Sequence, residues 1–300
     1  MKRIFAVDAP WYLWRAVHTN KSSRPLEQVI PYQLLSMICN DALAVKADYV
    51  LAAFDGPQVF RHKLYPQYKA NRTGRENDGR TDAENAEPGE TLKDQVYACL
   101  PAIYSLFDKV GLVYYTPKKY EADDVLCSVA RAYGKEYKVI CGTQDKDAYQ
   151  YLSETVWLYD SASKGKDGKR KPRYVRPKDA ERIKGVKIKQ MVAYQTMIGD
   201  AGDNIKPVKG MTPGRVKKIL NEHGSITQWG RADPDAKVFL AAHAEHIRLN
   251  RQLVTLVENA LPPGRPEEWK LRKKKPEDQY LSRGYHALHD FFFPKTRGLF

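Results

Sequence analysis

The chain has 300 residues, with 50 lysines and arginines against 36 aspartates and glutamates, a formal charge of +14 and an isoelectric point near 9.4. That length suits one large domain or two modest ones with a real core, and the charge points to a polyanionic partner, nucleic acid ahead of a membrane surface. No run reaches the roughly eighteen apolar residues of a spanning helix, and Asp8 and Pro10 interrupt any signal-peptide core, so a cytoplasmic protein, or one working in a host bacterial cytoplasm, is expected.

In chain order, the apolar run Arg3–Val7 reads as a strand, Tyr32–Ala47 as a helix and Tyr49–Phe54 as a second strand. Thr73–Gln95 is poor in large apolar residues and holds seven acids against three bases, so it reads as a mobile excursion that cannot pack a core. Tyr97–Val110 is helical in pattern, Leu112–Tyr115 a strand, Ala122–Tyr133 a helix, and Lys138–Cys141 and Val156–Tyr159 two more strands. Asp160–Arg176 reads as a solvated basic loop, and from Pro177 the pattern is helical with no convincing strand. A basic run at Lys270–Lys275 precedes a C-terminal helix ending in Phe291, Phe292 and Phe293. Strands separated by helices imply an α/β fold with a mostly parallel central sheet flanked by helices, with a boundary near residue 176. The four cysteines (Cys39, Cys99, Cys127, Cys141) lack CxxC spacing and read as reduced buried thiols rather than disulfides or a zinc site.

Acids stand directly after several of these strands: Asp8 after the first, Asp55 after the second, Asp145 and Asp147 after a later one. Open α/β sheets place their sites outside the carboxyl ends of the strands, so these acids are expected to converge. Glu121-Ala122-Asp123-Asp124 opens a helix with more acid than its dipole needs, and Gly199-Asp200-Ala201-Gly202-Asp203-Asn204 adds a pair in a glycine-rich turn. Two carboxylates about 4 Å apart repel by roughly 4 kcal/mol at an effective dielectric near 20, so such a cluster stays ionised only with cations in it. Oxygen-only ligands select Mg²⁺ or Mn²⁺ over zinc, and two such ions about 4 Å apart suit phosphodiester hydrolysis. Cations interleaved with aromatics at Tyr65, Tyr68, Lys69 and Arg72 suit phosphate contact with base stacking.

Several ordered motifs resemble the 5′ nuclease family of phage exonucleases, flap endonucleases and the amino-terminal domain of bacterial DNA polymerase I. They are Phe5-Ala-Val-Asp8 with Tyr12-Leu-Trp-Arg15-Ala16, Phe54-Asp55-Gly56 with Phe60-Arg61, Tyr65-Pro-Gln-Tyr68-Lys69-Ala-Asn71-Arg72, and the acidic motifs above. The likeness runs from about residue 3 to 256. It implies a PIN-like nuclease core over residues 1–176 with an arch insertion at about 60–95, a helical duplex-binding subdomain over 177–260, and a basic tail and helix over 261–300. By the same resemblance, Asp8, Asp55, Glu121 and Asp123 hold a first metal ion, and Asp124, Asp145, Asp147, Asp200 and Asp203 a second, with Asp123 shared. Lys69 and Arg72 would engage the scissile phosphate, Arg61, Tyr65 and Tyr68 would contact DNA, and a single strand would pass under or through the arch. Ile205–Leu220 resembles the family's helix-turn-helix, with Lys209, Gly210, Gly214, Arg215, Lys217 and Lys218 on duplex phosphates and, in some members, a potassium ion. Its turn reads Gly210-Met-Thr212-Pro-Gly214-Arg215, with Thr212 where the family has a glycine.

The expected activity is 5′→3′ exonuclease or flap endonuclease action on DNA 5′ ends or flaps by a monomer, with RNA in RNA–DNA hybrids as a second substrate. Two rivals are a non-catalytic DNA-binding relative, which nine retained acids oppose, and a toxin-class ribonuclease, which the long helical region opposes. His243-Ala-Glu-His246 and His286-Ala-Leu-His289 lack the HExxH order of a zinc site.

Overall fold

The structure is a computed structural model that describes residues 1–71, 91–164, 168 and 171–270. Its strands are β1 (Arg3–Asp8), β2 (Tyr49–Ala53), β3 (Val113–Tyr115), β4 (Lys138–Gly142), β5 (Val156–Asp160) and β6 (Arg173–Val175). They form one sheet in the order β3-β2-β1-β4-β5-β6, parallel except for β6, which pairs antiparallel with β5. Parallel neighbours require crossovers, and helices supply them.

β1 is central and buried on both sides, so its residues divide by the two-residue period of a strand. Phe5 and Val7 join the apolar cluster of α1 (Ala9–Thr19), α2 (Leu26–Ala44) and, beyond α3 (Phe60–Leu64) and α4 (Leu92–Ala98), α5 (Leu100–Val110). Ile4 and Ala6 join the opposite cluster, with Val125, Leu126 and Val129 of α6 (Ala122–Tyr133). After α7 (Pro177–Lys184), that same cluster takes in Met197 of α8 (Met191–Ile198) and Val216 and Leu220 of α9 (Pro213–His223). Trp229 of α10 (Ile226–Ala232) and Ala236 of α11 (Pro234–Ala242) complete its outer side, and α12 (Ala244–Val254) packs on α8. One core therefore crosses the boundary expected near residue 176, and the helical region is packed on the sheet's own apolar face rather than tethered beside it.

Several elements differ from the pattern reading. α2 begins at Leu26 and carries Pro31 inside it, whereas the sequence pattern starts the helix after that proline. The Tyr97–Val110 pattern is two helices broken at Cys99, where Pro101 lacks the N–H a continuous helix would use. α4 starts at Leu92, capped reciprocally by Thr91 and Asp94, so the end of the expected mobile stretch is helical. The remainder of that stretch, most of the arch, and the expected C-terminal helix lie outside the described residues. Part of the expected basic loop is strand β6, anchored by Arg173 on Asp160 at 3.3 Å. All four cysteines are free and buried. Among the described residues no helix is long and apolar enough to cross a membrane.

The turn after α8 depends on Gly199, at φ 65° and ψ −169°, a conformation open essentially to glycine alone. A β-carbon there would sit 2.3 Å from the Ile205 carbonyl oxygen, inside the backbone bridge between Asp200 and Ile205. Gly199→Ala should cost about 3 kcal/mol of stability, read by urea denaturation; a loss of under about 0.5 kcal/mol would show the turn to be pliable.

Candidate active site

The acids meet at the carboxyl edge of the sheet, where the end of β1, the loops after β2 and β4, and the start of α6 open onto a cleft of about 850 Å³. Asp8, Asp55, Glu121, Asp123, Asp145, Asp147 and Asp200 line it, with Lys69 among them. Each is held locally. Asp8 caps α1 through Trp11 N at 3.1 Å and accepts from the Thr143 hydroxyl at 2.9 Å. Asp55 accepts from Ala122 N at 2.9 Å. Asp145 N donates to Thr143 Oγ1 at 3.1 Å, and Asp147 N donates to Asp145 Oδ1 at 2.8 Å, so the loop after β4 is folded on its own side chains. Asp200 Oδ1 accepts from Gly202 N at 2.7 Å. Gln195 of α8 donates to Asp147 Oδ1 and accepts from Gln150 at 2.9 Å.

Crowding shows in the protonation equilibria. Burial, then the charge of Asp55, pushes the Asp8 carboxyl up to about 7. Burial, then Asp8 and Asp145, raises Asp123 well above the usual carboxylate range, and burial, then Asp145 and Asp203, does the same to Asp147. Burial would raise Glu121 too, but Lys69 and Arg61 hold it below the ordinary glutamate value. Asp123 Oδ1 is buried with no hydrogen-bond donor among the described residues. An all-oxygen set with an unsatisfied carboxylate oxygen and desolvated acids fits hard divalent cations. Among the described residues no three such side chains already form a closed ligand group, so a cation would have to draw them inward.

Lys69 reaches the centre of the cluster, with Nζ 2.5 Å from Glu121 Oε1 and 3.9 Å from Asp203 Oδ2. The Tyr65–Asn71 segment is laced to the acidic turn after α8. Lys69 N donates to Asp203 O at 3.0 Å, Asn71 Nδ2 to Ala201 O at 2.6 Å, and Asn204 Nδ2 to Gln67 O at 2.8 Å. Asp203 stands at the rim, accepting from the Tyr68 hydroxyl at 2.9 Å.

Three expectations are corrected. Asp124 is fully buried, with both oxygens on the Arg61 guanidinium at 2.6 and 2.8 Å and further N–H bonds from Glu121 and Val257, so the structure places it as an anchor beneath the cleft rather than among the cleft acids. Arg61 is 1% exposed, and its N–H groups go to Asp124, Glu121, Leu253 O and Thr255 O, which leaves none for DNA. Tyr68 is 3% exposed, its hydroxyl shared by Glu121 and Asp203, so its ring cannot stack on a base. Tyr65 is half-buried against the cluster of Ile205, Leu253 and Val254. Arg72 lies outside the described residues.

The helix-turn-helix cations surround the start of α9. Lys209, Arg215 and Lys218 are exposed, Lys217 half-buried, and Gly210 and Gly214 exposed. Thr212 caps α9 by accepting from Arg215 N at 3.3 Å, a role its hydroxyl can take and a glycine cannot. Residues that sequence reasoning missed are Trp11, Trp14, Lys146 and Lys184, all of which line the cleft. The tryptophans stand three apart in the helix directly after Asp8, a spacing that marks one helix face; nothing in the sequence marks Lys184.

An α/β sheet carrying a carboxylate-lined cleft at its carboxyl edge, with a cationic helix-turn-helix beside it, defines a phosphodiesterase-like class of protein. Residues 3–182 match the family described as 5′-3′ exonuclease, N-terminal resolvase-like domain, and the chain belongs to that family. It is 34% identical over 201 residues to DNA polymerase I of Deinococcus radiodurans, covering 66% of this chain and 17% of that one. The chain thus spans about a sixth of that relative's length. It is 25% identical to a 5′-3′ exonuclease of Aquifex aeolicus, covering 92% of each. A bacteriophage T5 flap endonuclease, solved as a pseudo-enzyme–product complex with DNA and metal ions, shares the fold at TM-score 0.66 and 22% identity, covering 97% of each chain.

Two measurements check this site. Arg61→Met strands Asp124 as a buried unpaired charge and should cost about 3–5 kcal/mol, whereas Arg61→Met with Asp124→Leu should recover most of it. Equal losses in both proteins would refute the clamp. In chelator, Asp8 makes a stability contribution that is fully present below its unfolded value of 3.8 and is lost as pH rises through about 7. Thermal midpoints should therefore fall across that window, Asp8→Asn should flatten the fall, and added divalent cation should raise the midpoint most above pH 7. A profile in which Asp8→Asn changes nothing would mean Asp8 is not the group that titrates.

Proposed function

We propose that this chain hydrolyses DNA phosphodiesters near 5′ ends, as a 5′→3′ exonuclease or flap endonuclease dependent on Mg²⁺ or Mn²⁺. The observation that carries this reading is the gathering of seven acids and the Lys69 ammonium in one cleft. Asp8, Asp55, Glu121 and Asp123 would hold one cation and Asp145, Asp147, Asp200 and Asp203 the other, with Asp123 between them. Bound divalent cations supply Lewis-acid activation of a water and neutralise charge on the leaving oxygen.

The chain's own residues do the rest. Lys69 sits where it can exchange Glu121 for a phosphate oxygen and hold the reacting group in line. Trp11 and Trp14 line the cleft and would provide aromatic surface for a nucleobase beside the cut. Lys209, Arg215 and Lys218, with the backbone of Gly210 and Gly214, present cations and N–H groups to duplex phosphates. At that turn the Arg215 guanidinium donates to the Gly210 carbonyl at 3.1 Å, so one of the chain's own cations faces that oxygen. RNA strands of RNA–DNA hybrids fit the same reading, since the contacts named are to phosphates and base faces. In this reading the working form is a monomer.

Incubation of 5′-labelled flap, nicked and blunt duplexes with Mg²⁺ tests the reading directly, with short 5′-labelled products expected from the flap. Asp123→Asn and Asp145→Asn should each abolish cutting while DNA affinity stays level or improves, since a carboxylate that repels phosphate is removed. Wild-type turnover in either variant would show the cation site to be misassigned.

A further inference from the structure

Lys184 is the last residue of α7 and faces the cleft beside Asp145, Asp147 and Asp200. It is half-buried, and its Nζ stands 5.9 Å from the centre of the Tyr149 ring. Burial lowers its pKa from the ordinary lysine value against the pull of Asp147 and Asp200, so the ammonium has given up water to stand where it does. Lys69 stands beside Glu121 and Asp203, with its Nζ 2.5 Å and 3.9 Å from their carboxylate oxygens. The acids that Lys184 faces come from the loop after β4 and the turn after α8, the turn to which the Lys69 backbone also donates.

The backbone just beyond Lys184 links the cleft to α9. Gly185 takes a left-handed conformation, φ 74°, and ends α7 against that helix. A β-carbon on Gly185 would lie 3.3 Å from Lys217 Cδ and 3.5 Å from its Nζ, and Asn221 donates to Gly185 O at 3.4 Å. The Lys217 ammonium in turn stands 5.9 Å from the Tyr194 ring centre. Lys146 and Lys184 thus line the cleft, while Lys217 of α9 comes against Gly185, the residue after Lys184, on the helix whose Arg215 and Lys218 are exposed. An acidic cleft repels a phosphate backbone, and a strand leaving a duplex on α9 needs cations along its way to the acids.

We propose that Lys184 is a phosphate-binding residue that conducts the substrate strand from α9 into the cleft, with Lys217 as its neighbour on that path. The proposal rests on the nuclease function proposed for the cleft. A lysine serving only to neutralise Asp147 and Asp200 would affect stability and its pH dependence, but not the number of counterions released from DNA. That number is what separates the two roles.

The test is the affinity of a fluorescent 5′-flap substrate across a series of salt concentrations, in calcium, for the wild type, Lys184→Ala and Lys184→Arg. Lys184→Ala should flatten the slope of log K against log salt by about 0.9, and Lys184→Arg should keep the wild-type slope. In magnesium, Lys184→Ala should raise KM several-fold with kcat nearly unchanged, the signature of lost ground-state binding. A wild-type slope in Lys184→Ala, or equal flattening in Lys184→Arg, would overturn the proposal. Should the wild type bind the flap with a steep slope yet cut nothing, the nuclease reading fails, while the slope comparison still decides the role of Lys184.

Discussion

Like charges forced together at the carboxyl edge of a parallel sheet are the constraint on which this protein is built. Parallel strands all end on the same side, so Asp8 and the acids of the loops after β2 and β4 arrive at one place whatever else the chain does. Burial then raises the cost of their charge, visible in the upward displacement of Asp8, Asp123, Asp145 and Asp147. Arg61 and Lys69 answer it unequally. Arg61 is locked into Asp124 and Glu121 beneath the cleft, and Lys69 reaches Glu121 from the cleft itself. A buried bidentate guanidinium is permanent, whereas a partly exposed ammonium can change partners. The pair separates scaffold from chemistry within a few ångströms.

Arg61 also joins three parts of the chain that are far apart in sequence. Its helix, α3, lies at the base of the expected arch; Asp124 and Glu121 open α6; and Leu253 and Thr255 supply carbonyls at the end of α12. Gln150 adds a parallel tie, donating to Val254 O at 2.8 Å and to Gln195, which in turn donates to Asp147. The helical region is thus fastened to the acidic floor by polar bonds as well as by the apolar core it shares with β1 and α6. On the function proposed for the cleft, that rigidity would give a duplex on α9 a fixed relation to the acids.

The contrast between Asp123 and Asp124 shows how little separates a carboxylate open to the cleft from a buried anchor. They are adjacent in the first turn of α6, and one residue of helix rotates a side chain by about 100°. Asp123 faces the cleft with an unsatisfied oxygen, while Asp124 faces Arg61 and the backbone of Val257. Both look alike in a motif. Tyr68 and Lys69, also adjacent, diverge in the same way, one a buried brace and the other a cation in the cleft.

Much of the architecture was readable because its signals are local. Short apolar runs broken by helical periodicity set the parallel sheet, and acids placed just after strands set the edge at which they meet. Where a helix begins after Thr91 or crosses Pro31, and where strand β6 returns on β5, packing overrode a weaker local pattern. The sequence by itself determined that a cluster of carboxylates would form in a basic α/β protein, since strand order and residue type suffice for that. Only the tertiary structure decided which acids face the cleft and which are sealed, and that Lys217 comes against Gly185, next to Lys184 in the chain. Those outcomes depend on helix rotation and on contacts between residues distant in the chain, and neither leaves a trace in composition or spacing.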